Sequence, residues 1–278
     1  MFWAIALLLT SMTSKAQEYY FDGDAEKTIS TLLQNKVNEI EGNGGDVYVM
    51  ETQTGRIVAK VKSGNTTDNE EWLGYYFAPT YLALLETDKV NPTDTFDTGE
   101  GVYKDTYDHN WRRGGYGTLT LEDAFTLSSK VALVKATENV GSIDISKYVE
   151  CNSVWGILTF YNAVANNGKM VQPIGWGNTI VRNEQIASKE NIALLQRALR
   201  QNVIDKLGKK ANSSKVEIAG HGRSFKLNSD IYRMEFVGYF PASNPKYTMM
   251  VVLEKNGLPA GSGFCGPLFK DIAETLIK

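Results

Sequence analysis

The sequence predicts an α/β fold of the α+β type: a five-stranded antiparallel sheet flanked by helices, with a helical subdomain inserted between its halves. Three observations lead there. A helical pattern and an alternating hairpin open the chain, three strand-like runs and a helix close it, and helix-patterned sequence separates the two β regions. With 278 residues the chain is long enough for one large domain with a substantial core. No repeat, low-complexity segment or linker divides residues 17–278, which read as one domain.

Residues 1–16 come first. Their apolar run, Phe2 to Thr10, falls short of the roughly 20 residues a bilayer requires, and the small residues Ser14 and Ala16 follow it. The segment reads as a signal peptide ending before Gln17, although no Lys or Arg precedes the run. The expected destination is the periplasm or the cell surface. Lys27 to Ile40 sets Ile29, Leu32, Leu33, Val37 and Ile40 on one helical face, and Asn43-Gly44-Gly45 ends it. Asp46 to Val61 alternates as two strands around Thr52-Gln53-Thr54-Gly55, a turn with glycine where positive φ is cheap.

Tyr75 to Leu85 predicts a helix. Residues 88–117, with Pro92, five glycines and many Asp, Asn and Thr, predict a long surface loop of the kind that is frequently functional. Thr118 to Glu138 is helical with an interruption at Ser128-Ser129-Lys130, where serines favour a turn. Val154 to Asn166 forms a helix stopped by Asn167-Gly168, and Glu190 to Asp205 an amphipathic one through Ile192, Leu195, Leu199 and Val203. Strands are expected at Val216 to Gly220, Met234 to Phe240 and Tyr247 to Glu254, and a last helix at Pro267 to Ile277.

Composition narrows the function. A net charge of -3 offers no basic excess to neutralise phosphates, so nucleic acid is not an expected partner. The short run Lys206-Leu207-Gly208-Lys209-Lys210 reads as a solvated loop. Only two histidines are present, His109 and His221, without ligand-spaced neighbours, so neither a metal nor a cofactor is expected. Cys151 and Cys265 could pair in an oxidising compartment, but their spacing leaves that open.

Four segments carry a family resemblance. GGDVYVMETQTGRIVA, residues 44–59, resembles the first hairpin of the transpeptidase domain of penicillin-binding proteins, in the serine β-lactamase superfamily. Residues 96–141 resemble its loop, helix and second-motif region, and residues 236–258 and 264–277 its closing hairpin and last helix. The similarity runs in order over most of residues 25–278. Only SIDISKYVECNS, residues 142–153, is shorter than the family's usual segment.

The resemblance implies three motifs meeting at one cleft. The family's Gly-Ser-x-Phe-Lys-Pro aligns with Gly74-Tyr75-Tyr76-Phe77-Ala78-Pro79, so Tyr75 stands for the nucleophile and Ala78 for the base. A phenol displaces the oxygen outward and has an ordinary pKa of about 10, and Ala78 removes the cation that could lower it. The Ser-x-Asn turn becomes Ser128-Ser129-Lys130, and Ala-Gly-Lys-Thr-Gly-Thr becomes Ala219-Gly220-His221-Gly222-Arg223-Ser224. Candidate ligand contacts are Ser128, Lys130, Arg223, Ser224, Trp111 and Tyr116. Ser243-Asn244-Pro245-Lys246 has the Ser-x-x-Lys spacing but lies in a strand-to-strand turn and reads as chance.

The expected function is therefore a transpeptidase-like domain of the cell envelope, catalytically inactive and serving as a binding or scaffold module. Its expected partners are peptidoglycan stem peptides or cell-wall synthesis proteins. The alternatives are an active D,D-transpeptidase, carboxypeptidase or β-lactam-binding enzyme using Ser128, with Lys130 as base, and a non-covalent sensor of peptidoglycan stems.

Overall fold

A computed structural model describes residues 23–67, 77–149, 153–228, 230–257 and 262–277. The signal-peptide reading, Tyr75 and Cys151 lie outside the described residues. The first half contains α1 (Gly23–Glu39), β1 (Gly44–Glu51), β2 (Ile57–Gly64), α2 (Phe77–Leu85), β3 (Thr95–Asp97), β4 (Val102–Tyr103) and β5 (Thr106–Tyr107). A 3-10 turn (Trp111–Arg113) leads to β6 (Thr118–Thr120), α3 (Leu121–Thr126), α4 (Lys130–Val140) and α5 (Val154–Ala165). Then come β7 (Met170–Val171), β8 (Val181–Asn183), α6 (Lys189–Asp205), β9 (Ala219–Lys226), β10 (Ile231–Phe240), β11 (Tyr247–Asn256) and α7 (Ser262–Leu276).

The main sheet has five antiparallel strands in the order β2-β1-β11-β10-β9, as the sequence predicts. Strand alternation sorts its side chains into two cores. Val47, Val49, Met234, Phe236, Met249 and Val251 face the layer of α1 and α7, where Ile29, Leu33 and Val37 sit one turn apart on α1. Met50, Val237, Tyr239, Met250 and Val252 face the inserted helices, with Phe77, Phe125, Leu158 and Leu195 among their partners. Serine or threonine caps begin α3, α4, α5 and α6: Thr120, Ser129, Ser153 and Ser188 each accept a backbone N–H three residues on. Each such cap contributes about 1 kcal/mol.

Several expectations need correction. Residues 88–117 are not an unstructured loop: β3 pairs with β6 and β4 with β5, held by local backbone bonds that composition does not reveal. Thr118–Thr120 is strand rather than helix, because it completes that β3 ladder and Thr120 then caps α3. The strand expected at Val216 to Gly220 runs instead from Ala219 to Lys226. Val216 and Ile218 are buried on its approach, whereas the ladder opposite β10 runs on through His221, Arg223 and Ser224 to Lys226. The final helix starts at Ser262, with Pro267 inside it. As the sixth residue of the helix Pro267 forfeits one backbone bond, and Cys265, Leu268, Phe269 and Ile272 bury the face that holds the helix down. Cys265 is a free, fully buried thiol whose pKa burial pushes well up.

At one end of the sheet, Arg233 on β10 faces Glu254 on β11. Its guanidinium donates to Glu254 Oε1 through Nε at 2.8 Å and Nη2 at 2.5 Å, and also to the Thr67 carbonyl at 2.6 Å. Glu254 Oε2 accepts from the Thr67 N–H at 2.9 Å. Both side chains are almost fully buried. Removing one partner strands the other charge in a low-dielectric site. Glu254→Gln should cost about 3–5 kcal/mol of unfolding free energy, read from the denaturant midpoint, while Arg233→Met with Glu254→Leu should recover most of it. A loss below about 1 kcal/mol for Glu254→Gln would contradict this.

Candidate active-site cleft

Helix α2 carries the last three positions, residues 77–79, of the first motif that the resemblance implies. All nine of its residues are buried, and it contains neither an acid nor a base. Ala78, where the family resemblance places the proton acceptor, is 1% exposed and belongs to the helical core. The neighbouring ring of Phe77 points to His221, with centroids 5.5 Å apart.

The turn between α3 and α4 places Ser128. The Ser128 N–H donates to the Phe125 carbonyl and the Ser129 N–H to that of Ala124, which forces Ser128 to a φ of 55°. A left-handed conformation at a non-glycine residue needs such outside support. Asp108 provides more: buried at 1% exposure, it accepts from Ser129 Oγ at 2.8 Å and from the Val131 N–H at 3.1 Å. Lys130 begins α4 and is exposed. Asp108 and Phe125 were not singled out from sequence, since their roles arise only from contacts distant along the chain.

Ser128 Oγ lies 2.9 Å from His221 Nε2. His221 sits on the edge strand β9, stacked on Phe125 with centroids 5.1 Å apart and a 22° interplanar angle. Burial pushes its pKa down to about 4, with the Arg223 charge acting the same way and a hydrogen bond to the Phe125 backbone opposing both. The ring is neutral at pH 7. Its one N–H serves the Phe125 carbonyl, so Nε2 accepts the Ser128 hydroxyl proton.

Arg223 points along the same strand but is engaged within the sheet. Its Nε donates to Glu235 Oε2 at 2.5 Å, directly across the β9–β10 ladder, and its guanidinium lies 4.6 Å from the Phe225 ring. The Glu235 side chain is 1% exposed, and burial raises its pKa against the lowering effect of Arg223. Ser224, next along, is half-buried. Glu235 was also missed from sequence, since twelve residues and a strand turn separate it from Arg223.

Trp111 and Tyr116 part company. Tyr116 reaches inward: its hydroxyl meets His109 Nδ1 at 2.7 Å and the Leu127 carbonyl at 3.3 Å, beside the Ser128 turn. Burial pushes that hydroxyl up to about 12. Trp111 stays at the surface, 40% exposed. The cleft thus brings Ser128, His221, Phe77 and Phe125 into contact. Arg223 is tied to Glu235, and Lys130 and Trp111 face solvent. Among the described residues no group of three His, Cys, Asp or Glu side chains is placed to hold a metal ion.

His221 makes stability depend on pH. Its folded pKa of about 4 lies below the ordinary 6.5, so the unfolded chain binds the proton more readily. The stabilisation is complete above pH 6.5 and is lost as pH falls toward 4, by a total on the order of 3 kcal/mol. His221→Gln should flatten the unfolding free energy across that window by the same amount, measured by urea denaturation at several pH values. An unchanged slope would contradict the buried neutral ring.

The comparisons agree with the fold. The family model described as the penicillin binding protein transpeptidase domain matches residues 45–154 and 153–274. A structure titled as a peptidoglycan glycosyltransferase from Burkholderia ambifaria is similar with a TM-score of 0.78 at 18% identity, over 92% of this chain and 96% of that one. The transpeptidase domain of penicillin-binding protein 3 from Burkholderia pseudomallei gives 0.75 at 18% identity, over 92% and 94%. That of a D,D-transpeptidase from Legionella pneumophila gives 0.66 at 18%, over 93% and 98%. No curated protein matches the sequence. The chain belongs to the penicillin-binding protein transpeptidase domain family.

Proposed function

We propose that this domain is a cell-envelope member of its family that does not carry out acyl transfer and works by holding a ligand or partner non-covalently, as a binding or scaffold module. The observation that supports this reading is Ala78: a buried methyl group stands where the family resemblance puts the base. A general base contributes about 10²–10⁴-fold in rate, and a nucleophile far more, on the order of 10⁶-fold. Tyr75 stands at the nucleophile position. Export to the periplasm or cell surface belongs to the same proposal and draws on the apolar run from Phe2 to Thr10. No helix among the described residues is long and apolar enough to cross a membrane. Peptidoglycan stem peptides and cell-wall synthesis proteins are the proposed partners, and a stem sensor is one form such a module takes.

One observation favours a second reading, in which the domain is an active acyl-transfer enzyme: the Ser128–His221 hydrogen bond pairs a hydroxyl with an imidazole. Its weakness is energetic. An imidazole with a pKa of about 4 is a poor acceptor of a serine proton, about 4 kcal/mol less favourable than one tuned to neutrality. That deficit places the inactive reading first.

Incubation with a fluorescent penicillin separates the two. The proposal expects no label that survives boiling in detergent and no mass increase in the intact protein. A stable adduct overturns it, and an adduct abolished by Ser128→Ala puts the second reading in its place.

A further inference from the structure

We infer that Tyr116 couples the protonation of His109 to the peptide that sets the Ser128 turn. The Tyr116 hydroxyl has two neighbours, His109 Nδ1 at 2.7 Å and the Leu127 carbonyl at 3.3 Å, and one proton to give. With Nδ1 bare, that proton goes to the nearer nitrogen, and the carbonyl lies beyond the roughly 2.5–3.0 Å of a full O–H···O bond. With a proton on Nδ1, the ring only donates. The hydroxyl oxygen then accepts from Nδ1, and its own proton turns to Leu127. The added proton comes from water, and no bond between heavy atoms changes.

The Leu127 carbonyl and the Ser128 N–H belong to one planar peptide unit. Its N–H end donates to the Phe125 carbonyl at 3.0 Å, and Tyr116 holds its carbonyl end. Fixing both ends of that plane fixes the start of the 55° φ at Ser128, and so the aim of its Oγ at His221 Nε2. The two rings, with centroids 6.0 Å apart, are themselves held in place. His109 follows Asp108, which is anchored to Ser129 and Val131. Tyr116 follows Gly115, whose φ is 71° and where a Cβ would lie 2.2 Å from the Glu100 carbonyl carbon, so only glycine fits. The Asn110 side chain ties the two sides together by donating to the Gly115 carbonyl at 2.7 Å. What is left to move is the hydroxyl hydrogen.

Histidine is the side chain whose charge ordinarily changes between pH 5 and 8. His109 is exposed, so its ring exchanges protons with water. The phenol stays protonated over that range, because burial and the Asp108 charge push it up to about 12. Of the other charged groups around the contact, Asp108 is buried and bonded to the start of α4, Arg112 lies 5.0 Å from the Trp111 ring, and Arg113 and Lys130 are exposed. On α3, Glu122 pairs with Arg197 and Asp123 with Lys206. The other histidine of the chain, His221, stays neutral down to about 4. The coupling holds whether or not the cleft acylates, since it concerns the resting turn.

The test is NMR of the full chain, labelled with ¹³C and ¹⁵N, at pH 8 and pH 5.5, beside Tyr116→Phe and His109→Gln. The expected result is a bare Nδ1 on His109 at pH 8. On acidification the Leu127 carbonyl carbon should move downfield, and protection of the Ser128 amide from exchange should rise about two- to tenfold, the range one hydrogen bond supplies. Each substitution should abolish both responses. A proton already on Nδ1 at pH 8, a Leu127 carbon indifferent to pH, or a response that survives either substitution overturns the inference. A penicillin adduct, by contrast, sinks the inactive reading of the cleft and leaves this coupling standing.

Discussion

The pairing of β1 with β11 is the constraint on which the remainder depends. It joins the two ends of the chain, from Gly44 opposite Glu254 to Glu51 opposite Tyr247. It lies inside the sheet rather than at its edge, so residues 65–218 are a single long excursion closed by one ladder. The start of that ladder admits only small residues. A Cβ on Gly45 would approach Leu253 to 2.7 Å and the Val252 carbonyl to 2.8 Å, and one on Gly44 would press on Asn65 at 2.8 Å. Once the register is set, strand alternation decides which side chains meet α1 and α7 and which meet the inserted helices. The neighbouring β9–β10 and β10–β11 ladders set Arg223 against Glu235 and Arg233 against Glu254.

From that frame the electrostatic character of the cleft follows. On one side lies the fully buried, uncharged helix α2, and on another the edge strand β9. Two aromatic rings clamp His221 from α2 and from α3, and enclosure keeps the imidazole uncharged. The guanidinium of Arg223 answers a buried carboxylate within its own sheet. A neutral hydroxyl–imidazole contact therefore lies where the resemblance leads one to expect a lysine and its serine partner.

Much of this was legible from sequence because it rests on local periodicity. The alternation of Asp46 to Val61, the helical faces of α1 and α6 and the turn at Ser128 all depend on near neighbours. What escaped depends on partners far along the chain. Strand β9 was misplaced because its strand character comes from cross-strand partners such as Glu235 rather than from apolar alternation. Asp108 is one acid among many in a polar stretch until α4 folds over it, and the Ser128–His221 contact spans 93 positions. The small hairpins of residues 95–120 are likewise set by pairing rather than composition.

The protonation state of His221 is the most direct measure of this account. The chain has only two histidines, so two-dimensional ¹⁵N spectra of the imidazole nitrogens, with a His109 variant for assignment, resolve each ring. The account predicts one neutral tautomer for His221 throughout pH 5.5–8, with protonation setting in only near 4. A ring that titrates between 6 and 7 would contradict it: the cleft would then carry a cation at working pH, and Ser128 would stand beside a competent base.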